Sequence, residues 1–462
     1  MDGGHPDSLK ANDQNRGIIA QSVSIAEKIS IYDVFSKSEH HMILFWLSVT
    51  VLLLPLSDTI YLPAIHTIAV DLRTTDTLVS LTVSMYLLSG ALSSLIWGVV
   101  SDRWGRKSTM QIGLFLFLLS TICCVFARNI FVLLFLRIFQ GGSIAVGFVV
   151  GQAIIADIYP ENQRGWATGI FFIPVLLGVL LGSAIGGILT YYFSWRSTFV
   201  FLSVFSLVSL VIYILIIPET HQYKVMKKLK DKILLDHNEI IEPSLSNPFL
   251  PLKFLTHLNL VPYILSASTA YASIIINQSL LAIILREQPY NFNELQTGLL
   301  SIPLGIGEIF GCLIGGYLAD RGNDISKKKR SENRLIIGTI AYILIPIGLV
   351  IFGWAFQWKE NVLIPITSAF LVAFAQSVYR PAVYSYLTLQ EQQNAASVSG
   401  TNTSLNLILA GIGLSVSVPV IHIINLGPFF TLVAFINIVT ILFTIILICK
   451  QLKPNDNDYQ TI

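Results

Sequence analysis

The sequence predicts an all-α polytopic membrane protein whose twelve transmembrane helices form two pseudo-symmetric six-helix bundles. Three observations carry that prediction. Of the 462 residues, 53% are hydrophobic and 12% are charged, with a mean hydropathy of +0.69, a balance that favours a membrane over water as the solvent. Apolar runs of about 20 residues, enough to cross ~30 Å of hydrocarbon at a 1.5 Å rise per residue, recur twelve times along the chain. A short charged turn also reappears in weaker form 218 residues later, the mark of a duplicated chain.

The spans are expected to begin near residues 41, 75, 108, 129, 166, 197, 258, 296, 335, 361, 396 and 427. They divide the chain into a tail (1–40), a six-helix bundle (41–217), a polar link (218–252), a second six-helix bundle (253–449) and a short tail (450–462). No stretch is left for a large soluble domain. The first forty residues contain no short apolar segment followed by a small-residue cleavage site, so the first helix is expected to be its own insertion signal.

Orientation follows from where Lys and Arg fall. With the amino terminus in the cytoplasm, 22 of the 29 basic residues lie on that side, and only Arg73, Arg128, Arg196, Arg286 and Lys359 lie on the other. Both termini are therefore expected in the cytoplasm. The link carries Lys224, Lys227, Lys228, Lys230 and Lys232, which suits either contact with anionic lipid or a regulatory role.

Several chemistries are excluded by what the chain lacks. There is no G-x-x-x-x-G-K-[ST] to cradle nucleotide phosphates, and the "GRKS" at 105–108 lacks the upstream spacing, so ATP-driven pumping is not expected. The eight histidines form no H-E-x-x-H, and Cys123, Cys124, Cys312 and Cys449 all sit in apolar runs, which favours buried free thiols. The protein is thus read as a non-enzyme with no metal, no cofactor and no nucleic-acid partner.

The first charged turn is "GVVSDRWGRKS", with Gly98, Asp102, Arg103, Gly105, Arg106 and Lys107; its copy keeps Gly316, Asp320 and Arg321. Helix 5 reads "GIFFIPVLLGVLLGSAIGGIL", placing Gly169, Gly178, Gly182, Ser183, Gly186 and Gly187 in one span. Small residues there let backbones approach closely, either as ordinary membrane packing or as a smooth surface between the two halves.

Ionisable groups inside a membrane cost about 2.5 to 3.5 kcal/mol each on insertion scales, which makes them functional candidates. Asp58 in "LPLSDTIYLPA" and Arg137 in "LRIFQGG" each lie about eight residues, roughly 12 Å, from the outer boundary, and so at a common depth. Burial favours a neutral acid and a nearby guanidinium favours its anion, so a proton and a cationic substrate would compete for one negative charge. The alternative is a static buried ion pair holding helices 1 and 4 in register. Glu308 in "IPLGIGEIFGCLIGG" falls near the midplane, as a second proton carrier, a substrate counter-charge or a protonated packing residue. Tyr61, Asn277, Gln278, Gln376 and Tyr379 offer hydrogen bonds and aromatic faces to a ligand, or equally contacts between helices.

On these motifs the chain resembles the major facilitator superfamily, and within it the twelve-spanner drug:proton antiporters of the fungal quinidine-resistance and bacterial bicyclomycin-resistance kind, from about residue 40 to 450. The resemblance implies the major facilitator fold, with helices 1, 4, 7 and 10 around a central cavity. It implies that Gly98 allows close helix contact, that Asp102 latches the inner face against the amino end of helix 11, and that Arg106 pairs with Asp157 of "IIADIYPENQRG". Arg137, Gln140 and Gly141 resemble its helix 4 motif for proton coupling. The helix 5 run resembles its antiporter motif, with Ser183 where Pro is usual. Relatives of the bicyclomycin kind carry their acid one residue later than Asp58, a rotation of about 100° on the helix.

The expected function is a proton-coupled antiporter exporting a small amphipathic or cationic organic compound by alternating access, with the small-molecule substrate, protons and membrane lipid as its partners and a monomer as its expected state. A uniporter, a proton symporter or a transporter-like receptor is the alternative. The plasma membrane is the expected location, with a vacuolar or other internal membrane obeying the same charge rule.

Overall fold

The structure, a computed structural model, describes residues 34–221, 223–225, 257, 259–325, 333–390 and 395–452. Among these are twelve helices long and apolar enough to cross a membrane: α1 (Lys37–Asp71), α2 (Asp76–Trp104), α3 (Arg106–Val125), α4 (Ile130–Ile158), α5 (Trp166–Tyr192), α6 (Trp195–Leu215), α7 (Val261–Ile284), α8 (Glu294–Leu318), α9 (Leu335–Gln357), α10 (Leu363–Leu387), α11 (Val398–Ile424) and α12 (Leu426–Lys450). Their starts lie within four residues of those expected from the apolar runs. Lys227, Lys228, Lys230 and Lys232 of the link lie outside the described residues.

Local chemistry sets the boundaries. Ser36 caps α1 in a reciprocal box, with Glu39 N–H donating to Ser36 Oγ at 3.3 Å and Ser36 N–H to Glu39 Oε2 at 2.7 Å. Asn293 and Gln296 do the same for α8, at 2.8 and 3.0 Å. Between α2 and α3 the backbone passes through Gly105 at φ +88°, a conformation that side chains resist. Helix α1 is not continuous: helical segments Leu53–Thr59 and Ile65–Asp71 flank a 3₁₀ turn at Leu62–Ala64 that contains Pro63.

Helix pairings repeat six helices on. In the first half α1 packs on α5, α2 on α4, α3 on α4 and α3 on α6; in the second α7 packs on α11, α8 on α10, α9 on α10 and α9 on α12. The two halves meet through α2 with α11 and α5 with α8, which are the same contact seen from either side of the pseudo-dyad. Backbones come close where glycines face them: a Cβ on Gly141 of α4 would lie 2.6 Å from Ser89 Oγ of α2, and one on Gly315 of α8 would lie 2.5 Å from Val378 O of α10.

Two expectations about glycines are corrected here. Gly98 does not permit a close contact, because a Cβ there would sit 3.8 Å from Val149, an ordinary distance. In the second half the crowded residue is Gly315, whereas Gly316 faces open space, as does Gly169 of the helix 5 run. Large apolar side chains on α12, such as Phe435, Phe443 and Ile446, point outward, as a lipid-facing surface requires.

Candidate functional site

The break in α1 organises the polar centre of the first half. Its helical hydrogen bonding stops where Ile60 N–H donates to Leu56 O at 3.0 Å, so the next carbonyl, Ser57 O, lies at a helix end with no helical donor. Arg137 of α4, with no exposed surface, donates from Nη1 to that carbonyl at 3.2 Å and to Gln140 Oε1 at 2.7 Å. Gln140 in turn donates from Nε2 to Thr121 Oγ1 of α3 at 2.8 Å. The guanidinium lies over the rings of Tyr61 and Tyr86, 4.7 and 4.5 Å from their centroids. Tyr86 also donates to Leu54 O at 3.0 Å and touches the Ser57 hydroxyl.

Asp58 and Arg137 do not form the ion pair that their common depth suggests. Arg137 Nη1 is engaged by a carbonyl and an amide and two rings face the guanidinium, while its Nε and Nη2 are buried without hydrogen-bond partners; Asp58, only 6% exposed, likewise keeps Oδ1 buried without one. Tyr61 is engaged within the first half. It is 1% exposed, accepts from Thr82 Oγ1 at 3.1 Å and packs edge-on to Phe199.

In the second half Glu308 of α8 is 5% exposed and within electrostatic reach of Arg380 of α10. Tyr271 of α7 lies within electrostatic reach of Asp58, Arg380 and Glu308. Both amide atoms of Asn277 are buried without hydrogen-bond partners. Its neighbour Gln278 is buried as well, and Gln376 accepts from Ser377 Oγ at 3.2 Å. Tyr379 is committed elsewhere. Its hydroxyl shares a 2.7 Å hydrogen bond with Ser266, and its ring meets Tyr342 edge-on.

The helix 5 glycines seat the irregular part of α1. Cβ atoms on Gly178, Gly182 and Gly186 would collide with Pro55, Thr59 and Ile60, and one on Gly187 would lie 3.0 Å from Gly298 Cα of α8. The run therefore faces both α1 and the opposite half. Ser183, buried, donates from Oγ to Thr59 O at 3.3 Å, satisfying a carbonyl at the end of the α1 segment that a proline could not reach.

On the face where α1 begins and α12 ends, Arg106 donates from Nε to Asp157 Oδ2 at 2.7 Å and from Nη1 to Asp102 Oδ1 at 2.6 Å. Arg103 and Lys107 lie beside them, with Lys107 Nζ donating to Ile214 O at 3.0 Å. Glu219, absent from the sequence expectations, caps the start of α3 by accepting from Arg106 N–H at 2.8 Å. Burial, reinforced by the Arg106 charge, holds the neighbouring His221 imidazole below its ordinary range, so it is neutral at pH 7. The side chains of Asp320 and Arg321 lie outside those described. Because Arg106 and Asp157 are only 11% and 9% exposed at their side chains, Arg106→Ala is expected to destabilise the protein by about 3 kcal/mol. The thermal midpoint of purified protein checks this, and Arg106→Lys, which keeps charge but not the fork, should fall between.

On the opposite face a polar contact joins the halves. Thr67 of α1 donates to Glu294 Oε1 of α8 at 2.6 Å, and the same oxygen lies 2.9 Å from Arg286 Nη2. Thr67→Val should open this face, raising the labelling rate of a cysteine introduced beneath it by about tenfold, the worth of one charge-assisted hydrogen bond. An unchanged rate would show that the contact does not hold the halves.

Two pseudo-symmetric helical halves, closed together on one face and bearing buried acids beside their meeting surface, define a polytopic membrane transporter. The family model described as Major Facilitator Superfamily matches residues 47–416, and the chain belongs to that superfamily, whose members carry small molecules and are not enzymes. It is 25% identical to the MFS antiporter QDR3 of Candida albicans, with 94% of this chain and 81% of the relative covered. It is also 25% identical to the MFS antiporter QDR2 of the same organism, over 87% of each chain, and 26% identical to the efflux pump radE of Floropilus chiversii, over 84% and 76%. The resemblance to antiporters of the quinidine-resistance kind therefore holds. Among solved structures, the xylose transporter XylE of E. coli in a partially occluded inward-open conformation aligns with a TM-score of 0.67 at 14% identity, over 91% of this chain and 99% of that one, which shows the fold.

Three side chains central to this geometry were not singled out from the sequence. Arg380 carried the same signal as Arg137, a cation inside an apolar run. Tyr86 and Tyr271 carried none, since an aromatic in a membrane helix is ordinary.

Proposed function

We propose that this protein is a proton-coupled antiporter exporting a small amphipathic, cationic organic compound, with Asp58 as the acid for which proton and substrate compete. The observation that carries the reading is Asp58 itself, a buried acid with an unpartnered oxygen, close to an arginine already engaged by Ser57 O, Gln140, Tyr61 and Tyr86. A carboxyl group left without a partner is free to take either a proton or an organic cation, and each excludes the other. Arg137 modulates that choice through its field.

Glu308, near Arg380 and Tyr271, is the acid of the second half and faces the same exchange. Asn277, Gln278 and Gln376 supply the polar contacts that orient a ligand. Rocking of the halves across the α2–α11 and α5–α8 contacts gives alternating access, with Thr67 and Glu294 joining the halves on one face and Arg106, Asp102 and Asp157 bracing α2, α3 and α4 of the first half on the other. The relatives' names, antiporter and efflux pump, support the direction. The basic residues put both termini in the cytoplasm, of the plasma membrane by the family resemblance, and a monomer contains every part of the site.

The test uses purified protein in liposomes with an imposed pH gradient and an internal pH dye, challenged with organic cations, polyamines and weak acids. Antiport moves protons against the direction of substrate. Protons moving with the substrate would identify a symporter, and uptake or binding without proton movement a uniporter or receptor.

A further inference from the structure

Two opposite charges lie close together in the first half without pairing. Asp58 Oδ1 and the Nε and Nη2 of Arg137 are all buried without hydrogen-bond partners. Yet Arg137 Nη1 donates at 3.2 Å to Ser57 O, the carbonyl of the peptide group that leads into Asp58. Buried ions this near one another ordinarily close up, because pairing satisfies both at once. Some restraint in the fold holds the carboxyl away.

The restraint starts from the sequence of α1. In a continuous helix Thr59 O would accept from the N–H of residue 63, and residue 63 is a proline, which has none. Ser183 of α5, 1% exposed, supplies a donor in its place, from Oγ at 3.3 Å. Thr59 Oγ1 adds a bond to Gly178 O of the same helix at 3.2 Å, and Gly182, on which a Cβ would collide with Thr59, lets α5 come that near. Asp58 therefore sits between two anchored residues, Ser57 tied by its carbonyl to α4 and Thr59 tied by its carbonyl to α5. Together they set the direction in which its side chain leaves the backbone.

We propose that Ser183 is a positioning residue whose hydroxyl, by holding the Thr59 carbonyl, keeps Asp58 from closing onto Arg137 in a static ion pair. The inference rests on Asp58 as the exchanging acid and names what keeps it exchangeable. The titratable groups facing that acid are Arg137 of α4, Tyr86 of α2 and Tyr271 of α7, and α5 carries none from Gly178 to Gly187. Arg137 is the one cation among them. Without the Ser183 hydroxyl the end of the α1 segment is free to turn, and the carboxylate reaches Nε and Nη2 of the guanidinium. An acid bonded to a guanidinium holds its charge instead of trading it. Proline, the usual residue of the motif that helix 5 resembles, has no side-chain donor, so in this chain Ser183 and Pro63 form a compensating pair.

Dicyclohexylcarbodiimide, which modifies buried carboxyl groups in their protonated form, reads the state of Asp58 without a substrate. Purified full-length protein in mild detergent is treated with the reagent, and the peptides carrying Asp58 and Glu308 are followed by mass spectrometry. Wild type should react at both acids. Ser183→Ala should slow modification of Asp58 by about fivefold, the effect of one lost hydrogen bond, while leaving Glu308 as it was and not lowering the thermal midpoint. Ser183→Thr, which keeps the hydroxyl, should react as wild type does. The proposal is overturned by an unreactive Asp58 in wild type, by a wild-type rate at Asp58 in Ser183→Ala, by a Ser183→Thr protein as slow as Ser183→Ala, or by a parallel change at Glu308, the sign of general loosening. Proton exchange that survives Asp58→Asn in liposomes would instead defeat the reading of the acid, while the carbodiimide rates still decide whether Ser183 holds it off Arg137.

Discussion

Asp58→Asn is expected to reduce substrate-driven proton movement to the background of empty liposomes while leaving the thermal midpoint unchanged. The two halves of that result separate the roles left open for this residue. If Asp58 were half of a static ion pair, removing its charge would leave a buried guanidinium unpaired and cost about 3–5 kcal/mol of stability. The geometry argues otherwise, because no ion pair joins Asp58 to Arg137: Nη1 donates to Ser57 O and Gln140 and two tyrosine rings face the guanidinium, contacts the loss of the carboxylate would not disturb, and Nε and Nη2 have no hydrogen-bond partner even with the carboxylate present. Loss of proton movement with preserved stability would place the carboxyl in the exchange. Loss of stability with residual exchange would assign it to packing. A second arm, Tyr86→Leu, removes one ring from Arg137 and should lower transport without abolishing it, as expected of a residue that positions the arginine.

Gly187→Val is the other large effect. A Cβ at this position would lie 2.5 Å from Glu294 O and 3.0 Å from Gly298 Cα. Both neighbours are backbone, so no rotamer change relieves the overlap and the halves have to part along α5 and α8. The described conformation, closed on that face by Thr67 and Glu294, should become unreachable, and turnover should fall by at least about a hundredfold, the effect of a few kcal/mol. A cysteine beneath Thr67 should label at a high constant rate in this variant whether or not substrate is present. Gly169→Ala, by contrast, should be silent, since that glycine meets nothing within 4 Å. If both substitutions behaved alike, helix 5 would be ordinary membrane packing, and its glycines would have no part in closing the halves.

The twelve spans, the duplication and the superfamily were all legible in the sequence, because each rests on a signal local in the chain. A run of about 20 apolar residues is a helix that spans lipid wherever its neighbours lie. The turn at Gly98 to Lys107 and the run from Gly169 to Gly187 are fixed spacings that survive without coordinates. Buried ions announce themselves too, as Asp58, Arg137 and Glu308 did and Arg380 would have by the same rule.

What the tertiary structure alone decided is which of these groups touch. Asp58 and Arg137 share a depth, but depth does not give azimuth. The break in α1 turns the Ser57 carbonyl toward the arginine and leaves the acid without a partner. Tyr61 and Tyr379, with the residue types of cavity walls, hydrogen-bond inside their own bundles, while Tyr271 lies within electrostatic reach of the acids of both halves. Gly98 and Gly316 keep the motif and make no close contact; Gly141 and Gly315 do. The physical reason is common to all of them: hydropathy sets how far along a helix a residue lies, and only the packing of one helix on another sets which way it faces.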